Sequence, residues 1–208
     1  MPFANNECDE LPEQCSCSAD NSALYTALTG AVGISDIGEK AEFSIESGYR
    51  LIRVDHRLDE VGGHEFEIAL VDDVEFSVAY YAKVTLLQIP AASSRPVARH
   101  RVWRSASMRH SQVLRDISRA VLYSYLVHDY DLLFTEDALM GNGKFYWFRQ
   151  VSRAIELGLH VCTYDSTKQV LEPISTQRAL TDVQDQTWSD AAPESLQALI
   201  SIYPLDRQ

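Results

Sequence analysis

Apolar and polar positions change their spacing along the chain, and residues 95–165 give the clearest prediction of structure. Residues 99–104 include the strand-favouring Val102 and Trp103 among polar side chains, which predicts a strand. The apolar residues that follow recur every three or four positions, which predicts a helix with Ser111 as its N-cap and its end near His128. Its apolar positions are Val113, Leu114, Ile117, Ala120, Val121 and Leu122. Residues 131–135 are then typical of a short buried strand.

A second helix and a further strand complete this half of the chain. The helix is predicted to begin at the turn-forming sequence Met140-Gly-Asn-Gly143 and to end at Gly158, which suits the left-handed position after a helix C-terminus. Residues 159–164 form the next predicted strand. Strands separated by helices of this length need crossover connections, so we predict a largely parallel local sheet.

The N-terminal third has a different pattern. Residues 1–20 are acidic and poor in apolar side chains, a composition typical of a disordered leader, and residues 21–29 favour a short helix. Alternation then predicts antiparallel strands from residue 49, with a hairpin turn at Asp72-Asp73. At the other end, residues 193–202 are predicted to be helical. We therefore expect a mixed α/β (α+β) fold, with residues 21–208 as a single domain that has a C-terminal helical extension.

The net charge of −12 is unevenly distributed along the chain. Residues 1–46 carry −8 and residues 91–160 carry +4, and seven of the arginines lie between Arg95 and Arg119. An acidic chain does not favour general nucleic-acid binding, but the basic segment faces a predicted helix start, where an anion such as a phosphate is favoured. The alternative is that these arginines form a solvated face or pair with acids elsewhere.

The cysteines and the apolar runs exclude several classes of protein. Cys8, Cys15 and Cys17 match no common zinc spacing, so no metal site is predicted, and Cys162 is expected to be a buried apolar residue. No run of eighteen apolar residues and no secretory signal is present, so we predict a cytoplasmic protein with free thiols and without a membrane span.

Several short patterns follow one another in the central half: Leu122-Tyr123, then Tyr130-Asp-Leu-Leu-Phe-Thr-Glu-Asp137, then Gly143 and Trp147. Together with the element order, they resemble the GNAT-type N-acetyltransferase superfamily, most of all the small GNAT-like proteins of bacteriophages. The resemblance covers roughly residues 45–175. It implies a mixed central sheet with antiparallel N-terminal strands and a β-α-β-α-β C-terminal half.

The same resemblance implies acetyl-coenzyme A as the cofactor. Arg109 stands where the family has the arginine that precedes the glycines of its pyrophosphate loop, and those glycine positions are Gln112 and Leu114 here. Side chains there obstruct the close approach of backbone N–H groups to phosphate. The strand before the loop would pair with the pantetheine arm. The implied cofactor-binding residues are Val102, Arg104, Ser107, Arg109, His110, Ser111 and Gln112.

Acyl transfer to an amine needs a base, and the candidates are Glu75 and Glu136, with Asp137 beside the latter. The alternative for the pair at 136 and 137 is that they are solvated loop acids. Tyr146 and Tyr164 are candidate proton donors to sulfur, since the family's tyrosine position is occupied by Arg153-Ala154. The loop at residues 91–96 would border the acceptor site.

The sequence therefore leaves two alternative functions. The first is a GNAT-like N-acyltransferase that uses acetyl-coenzyme A and an unknown amine acceptor. The second is a GNAT-like fold without catalysis, whose acidic surface binds a basic host protein or mimics nucleic acid to block a DNA-binding enzyme. Coenzyme A binding separates the two.

Overall fold

The structure is a computed structural model that describes residues 18–44, 47–58, 64–135, 143–189 and 197–205. These residues form a mixed α+β fold with nine strands, hydrogen-bonded in the order β1-β2-β3-β4-β5-β6-β9-β7-β8. The strands are β1 (Ile34–Asp36), β2 (Tyr49–Asp55), β3 (Glu65–Asp72), β4 (Ser77–Leu87), β5 (Val97–Arg104), β6 (Asp131–Thr135), β7 (His160–Asp165), β8 (Val170–Pro173) and β9 (Gln197–Ser201). This confirms the coarse fold class.

Four helical segments accompany the strands in the described part of the chain. They are α1 (Ser18–Thr29), a continuous helix α2 made of Ile117–Arg119, Ala120–Leu126 and Val127–Asp129, then α3 (Gly143–Glu156) and α4 (Gln177–Ser189). The middle section of α2 is π-helical. A single 3-10 turn, Met108–His110, precedes α2.

By its internal contacts the chain divides into two compact units, and unit 1 comprises residues 1–84 and 101–117. Its strands β1, β2 and β3 pair antiparallel, with Tyr49 opposite Asp72 and Asp55 opposite Phe66. The predicted turn at Asp72-Asp73 is present between β3 and β4. Apolar side chains of the helix and strands form one buried cluster, which consists of Leu28, Ile52, Val54, Ala69, Val71, Val78 and Tyr81. The antiparallel N-terminal strands are thus confirmed.

Unit 2 comprises residues 85–100 and 118–208. Here β5 and β6 are parallel, with Val97 opposite Asp131, while β9 pairs antiparallel with both β6 and β7. The buried cluster of this unit contains Ala92, Val97, Leu133, Cys162, Tyr164, Leu171 and Leu199. The predicted burial of Cys162 as a free thiol is confirmed.

Three predictions about regular structure were wrong. Residues 197–201 are the interior strand β9 and not part of a helix over 193–202, and residues 193–196 lie outside the described residues. An apolar run as short as Ala198–Ile200, fully buried, has no period that separates strand from helix. Because β9 lies between β6 and β7, the local sheet is mixed and not largely parallel.

The third error concerns the start of α2. Ser111 follows the 3-10 turn as its C-cap, and the regular helix begins only at Ile117. Leu114 and Val113 are buried as their spacing predicts, although they lie in turns. The apolar spacing therefore predicted which of these side chains are buried, but not the backbone conformation. The backbone forms short-range hydrogen bonds of turns here, including the one from Arg115 N–H to the carbonyl of Gln112 at 3.2 Å.

The predicted end of α3 is confirmed in detail. Gly158 has φ +74°, the left-handed region that favours glycine. Its N–H donates to the carbonyl of Ile155 and the N–H of Leu159 donates to that of Ala154, both at 3.0 Å. This is the pair of bonds that closes a helix C-terminus around a glycine.

Residues 1–17 lie outside the described ranges, so the prediction of a disordered leader is not tested. The prediction that residues 21–208 form a single domain also stays a prediction. Within the leader, residues 18–20 already belong to α1. No helix in the described ranges is long and apolar enough to cross a membrane.

Candidate functional site

Arg109 lies in a tight turn whose backbone is largely occupied by its own hydrogen bonds. His110 N–H donates to Ser107, Ser111 N–H to Met108, and Leu114 N–H to His110, at 3.1, 3.1 and 2.9 Å. An amide that is already paired within a turn does not pair with a ligand without loss. Three of the N–H groups in and beside the predicted pyrophosphate loop are therefore engaged locally.

The guanidinium of Arg109 lies between two carboxylates. Its Nε donates to Oδ2 of Asp72 at 2.8 Å, and its Nη1 is 3.2 Å from Oε1 of Glu75. Asp72 is fully buried, whereas Arg109 and Glu75 are about half exposed. The structure thus brings together a predicted cofactor-binding residue and a predicted base, and it pairs them with each other.

Asp72 accepts hydrogen bonds from the backbone of the turn between β3 and β4 as well as from Arg109. Its Oδ1 accepts the N–H groups of Val74 and Glu75 at 2.9 and 3.1 Å. Burial by itself would raise the pKa of Asp72, but the hydrogen bonds from Arg109 and from these two amides outweigh it and hold the pKa below its usual value. Asp72 is therefore an ionised structural anchor at neutral pH.

His110 points inward from the same turn. It is 4% exposed, and its Nδ1 lies 3.0 Å from the hydroxyl of Tyr49. Burial is the main cause that lowers the pKa of His110 and raises the pKa of Tyr49. Both groups are consequently neutral at pH 7, and the imidazole lies beneath the surface that a phosphate would meet.

The other predicted site residues are placed as follows. Val102 and Arg104 are half-buried on β5, and Arg104 lies 5.9 Å from the ring centroid of Tyr80. Ser107, Ser111 and Gln112 are exposed. Glu136 and Asp137 lie outside the described residues, so their assignment as base and neighbour stays a prediction.

A buried carboxylate that the sequence patterns did not single out lies on β3. Glu67 is fully buried, and its two oxygens accept from Nε and Nη2 of Arg57, while the hydroxyl of Tyr81 donates to Oε1 at 2.6 Å. Burial, and then the charge of Glu67, raise the pKa of Tyr81 well above its usual value. This closed set stabilises unit 1 and does not face a ligand, because Glu67 has no exposed surface.

Three exposed apolar side chains of unit 1 are direct sequence neighbours of Glu75 or Arg109. Val74, Phe76 and Met108 are 61%, 59% and 83% exposed. We call Val74, Phe76 and Met108, with Glu75 and Arg109, the β3–β4 turn surface. The sequence signal for this surface is the pair of apolar residues Val74 and Phe76 among acids, within the segment predicted to form a hairpin.

Phe76 has an unusual backbone for its residue type. Its φ is +50°, a conformation that is uncommon for bulky side chains and is retained only where the surroundings impose it. Its ring packs edge-on against Tyr25, with centroids 5.7 Å apart, and the hydroxyl of Tyr25 donates to Asp73. The turn thus presents a positioned aromatic ring to solvent.

Unit 2 contains a separate feature, a cavity of about 370 Å³ at the amino ends of β5 and β6. It is lined by Pro90, Ala92, Ser93, Ser94, Arg95, Asp131, Ser201, Tyr203, Pro204 and Leu205. Five of these residues belong to the loop predicted to border an acceptor site or directly precede it. The sequence patterns missed Asp131, Ser201 and Tyr203, which only the strand order brings to this loop.

No group of three or more His, Cys, Asp or Glu side chains in the described ranges is arranged to hold a metal. No protein-family model matches this chain, and no curated protein or solved structure matches it either. The GNAT resemblance and the acetyl-coenzyme A site therefore stay predictions.

Proposed function

We propose that this chain is a non-catalytic interaction protein with a GNAT-like fold, and that the acidic unit 1 binds a basic protein segment through the β3–β4 turn surface. The observation that carries the proposal is the pairing of Arg109 with Asp72 and Glu75. The antiparallel strands of unit 1 and the parallel β5–β6 pair support the fold part of the proposal.

The pairing of Arg109 works against a coenzyme A site. Two carboxylates and one guanidinium carry a local charge of −1, so a pyrophosphate brought to Arg109 meets net repulsion. Gln112 and Leu114 stand where glycines would let the backbone approach phosphate, and Leu114 N–H is already donated to His110. Arg109 and the N–H of Leu114, which would contact the cofactor, therefore already have partners within the protein.

Charge and apolar exposure both favour a basic protein partner. The sequence of unit 1 contains 18 acids and nine bases, so this unit accounts for −9 of the net −12. Val74, Phe76 and Met108 supply exposed apolar side chains, and the paired Glu75 and Arg109 are their sequence neighbours. An apolar anchor with charged groups around it is the usual composition of a binding hot spot.

The first test is calorimetric titration of the full chain with acetyl-coenzyme A and with coenzyme A. We expect no binding at millimolar ligand. Micromolar binding that Arg109→Glu abolishes would overturn the proposal and establish the acyltransferase instead.

The second test measures the surface directly with a fluorescent peptide of alternating Lys and Leu, and with a matched Glu–Leu peptide. We expect the basic peptide alone to bind, and binding to weaken as salt rises from about 50 to about 500 mM. Phe76→Ser should reduce the affinity by about tenfold or more. Phe145→Ser, which removes a similarly exposed ring from unit 2, is the matched control.

Equal losses in the two variants would show that any exposed ring suffices, and they would contradict the assignment of the surface. Binding that is insensitive to salt would contradict the role of the acidic charge.

A further inference from the structure

The cavity of unit 2 has a floor made by a buried ion pair. Asp131 has 2% of its side chain exposed, and its Oδ1 accepts from Nη1 of Arg95 at 2.8 Å. The hydroxyl of Ser93 donates to Oδ2 of the same carboxylate. The charges on the floor therefore cancel, and both carboxylate oxygens have partners.

Arg95 is held by the backbone as well as by Asp131. Its Nη2 donates to the carbonyls of Val127 and His128 at 3.3 and 2.6 Å, at the C-terminus of α2. These bonds and the one to Asp131 account for three of the five N–H groups of a guanidinium. Arg95, which lines the cavity, is thus held in place, and two of its N–H groups remain for other acceptors.

A buried hydroxyl contributes a further donor. Ser201 is 1% exposed, and its Oγ accepts the N–H of Tyr203 at 3.0 Å. With the oxygen accepting from the backbone, the hydroxyl hydrogen is available for donation. Ser94 adds an exposed hydroxyl on the opposite loop.

The rim of the cavity is aromatic and apolar. Tyr203 is 58% exposed, and the guanidinium of Arg95 lies 5.2 Å from its ring centroid. The remaining apolar lining comes from Pro90, Ala92, Pro204 and Leu205. A tyrosine at a rim offers an apolar ring face together with a polar hydroxyl.

We infer that this cavity binds a small neutral ligand with several hydroxyl groups, of the size of a monosaccharide. A charged ligand would find its attractive partner already neutralised at close range, whereas hydroxyl groups can both accept from Arg95 and Ser201 and donate to Asp131. The C–H face of a sugar ring would lie against Tyr203. A cavity of about 370 Å³ is at the lower end of the range for ligand pockets, which suits a single ring.

The inference is tested by titrating the isotope-labelled full chain with methyl glucoside, methyl galactoside, methyl mannoside and N-acetylglucosamine, while amide resonances are followed. Phosphate, glutamate and lysine serve as charged probes. At least one sugar should produce saturable shifts at Ser94, Ser201 and Tyr203, with affinity in the millimolar range, and should bind more tightly than every charged probe.

Variants then locate the site. Tyr203→Ala should weaken sugar binding by about tenfold, Tyr203→Phe should weaken it less, and Phe145→Ala should leave it unchanged. Ser201→Ala provides a second variant in the wall, and an unchanged spectrum elsewhere confirms folding. No saturable shift with any sugar up to about 100 mM, tighter binding of a charged probe, or unchanged affinity in Tyr203→Ala would each overturn the inference.

The result is independent of the proposed protein interaction. Phe76→Ser removes the apolar anchor of unit 1, and it should bind the sugar as the unaltered chain does.

Discussion

Unit 1 and unit 2 each contain an arginine paired with a buried aspartate, and the two pairs differ in what surrounds them. Arg109 pairs with Asp72, keeps 46% of its side chain exposed and gains a second carboxylate, Glu75. Arg95 pairs with Asp131, is 18% exposed and gains two backbone carbonyls instead.

An ion pair by itself therefore does not define a binding site. A third charge makes the exposed pair of unit 1 net acidic, which suits a basic partner. Neutral partners leave the buried pair of unit 2 balanced, which suits a neutral ligand in the cavity above it. The same two residue types thus favour different ligands because of exposure and neighbours.

The largest expected effect that separates the two pairs is that of Asp131→Ala. It leaves the mostly buried Arg95 without its counter-ion, so the free energy of unfolding in urea should fall by about 3 kcal/mol or more. Asp131→Asn, which retains an acceptor for Ser93, should lose less. A loss below about 1 kcal/mol in Asp131→Ala would show that the backbone carbonyls alone hold Arg95.

Asp72→Ala should have a smaller effect, about 2 kcal/mol, because the amides of Val74 and Glu75 lose their acceptor while the exposed Arg109 regains water. Urea unfolding measures it. Asp72→Asn keeps a carbonyl oxygen for the amides and isolates the part due to charge. If Asp72→Asn were as unstable as Asp72→Ala, the charge and not the turn would dominate.

Acid should weaken unit 1 in a defined direction. The hydrogen bonds from Arg50 to Asp73, and those from Arg109 and two amides to Asp72, hold both pKa values below the usual 3.8. A carboxylate whose pKa is lower in the folded state contributes stability above the unfolded value, and that contribution is lost as pH falls through the folded value. The loss should be smaller than in Asp72→Ala, because a protonated carboxyl keeps its oxygens in place.

The measurement is the free energy of unfolding between about pH 5 and about pH 3. The unaltered chain should lose more stability over this interval than the double variant Asp72→Asn/Asp73→Asn. Parallel pH profiles for the two proteins would contradict the role assigned to these carboxylates.

The smallest expected effect is that of Tyr49→Phe, which removes the hydroxyl at 3.0 Å from Nδ1 of His110. A loss of about 1 kcal/mol is expected, since a buried ring nitrogen is left without its partner. Tyr203→Phe, which removes the hydroxyl of a tyrosine in unit 2 that is 58% exposed, is a control for the substitution itself. Equal stability of Tyr49→Phe and the unaltered chain would show that water replaces the hydroxyl.

Elements with a clear period or a specific terminating residue were predictable. The strands β2 and β3 and the glycine at position 158 appear in the structure where the sequence places them. Side-chain burial follows the local pattern less closely, since β3 is buried on both faces from Phe66 to Asp72 and Phe145 of α3 is 65% exposed. The start of α2 and the identity of β9 were not predictable, because buried turns and buried interior strands show the same short apolar runs as a helix.

The candidate sites were harder to predict from the sequence than the fold. The basic segment was recognised, and so was the alternative that its arginines pair with acids elsewhere. Neither the partner of Arg109 nor that of Arg95 was identified, since Asp72 and Asp131 lie 37 and 36 positions away along the chain. Sequence spacing carries no information about contacts at that separation until strand order and register are known.

By itself, the sequence determined the acidic balance of the chain, the α+β class, the antiparallel N-terminal strands and the burial of apolar residues such as Val113, Leu114 and Cys162, because these follow from composition and local period. Only the tertiary structure decided that β9 enters between β6 and β7, that Arg109 is paired with two carboxylates and that Ser201 and Tyr203 line the same cavity as the loop before β5. The physical reason is that pairing of strands and of charges depends on which distant segments are brought together, and local side-chain preferences are compatible with many such arrangements.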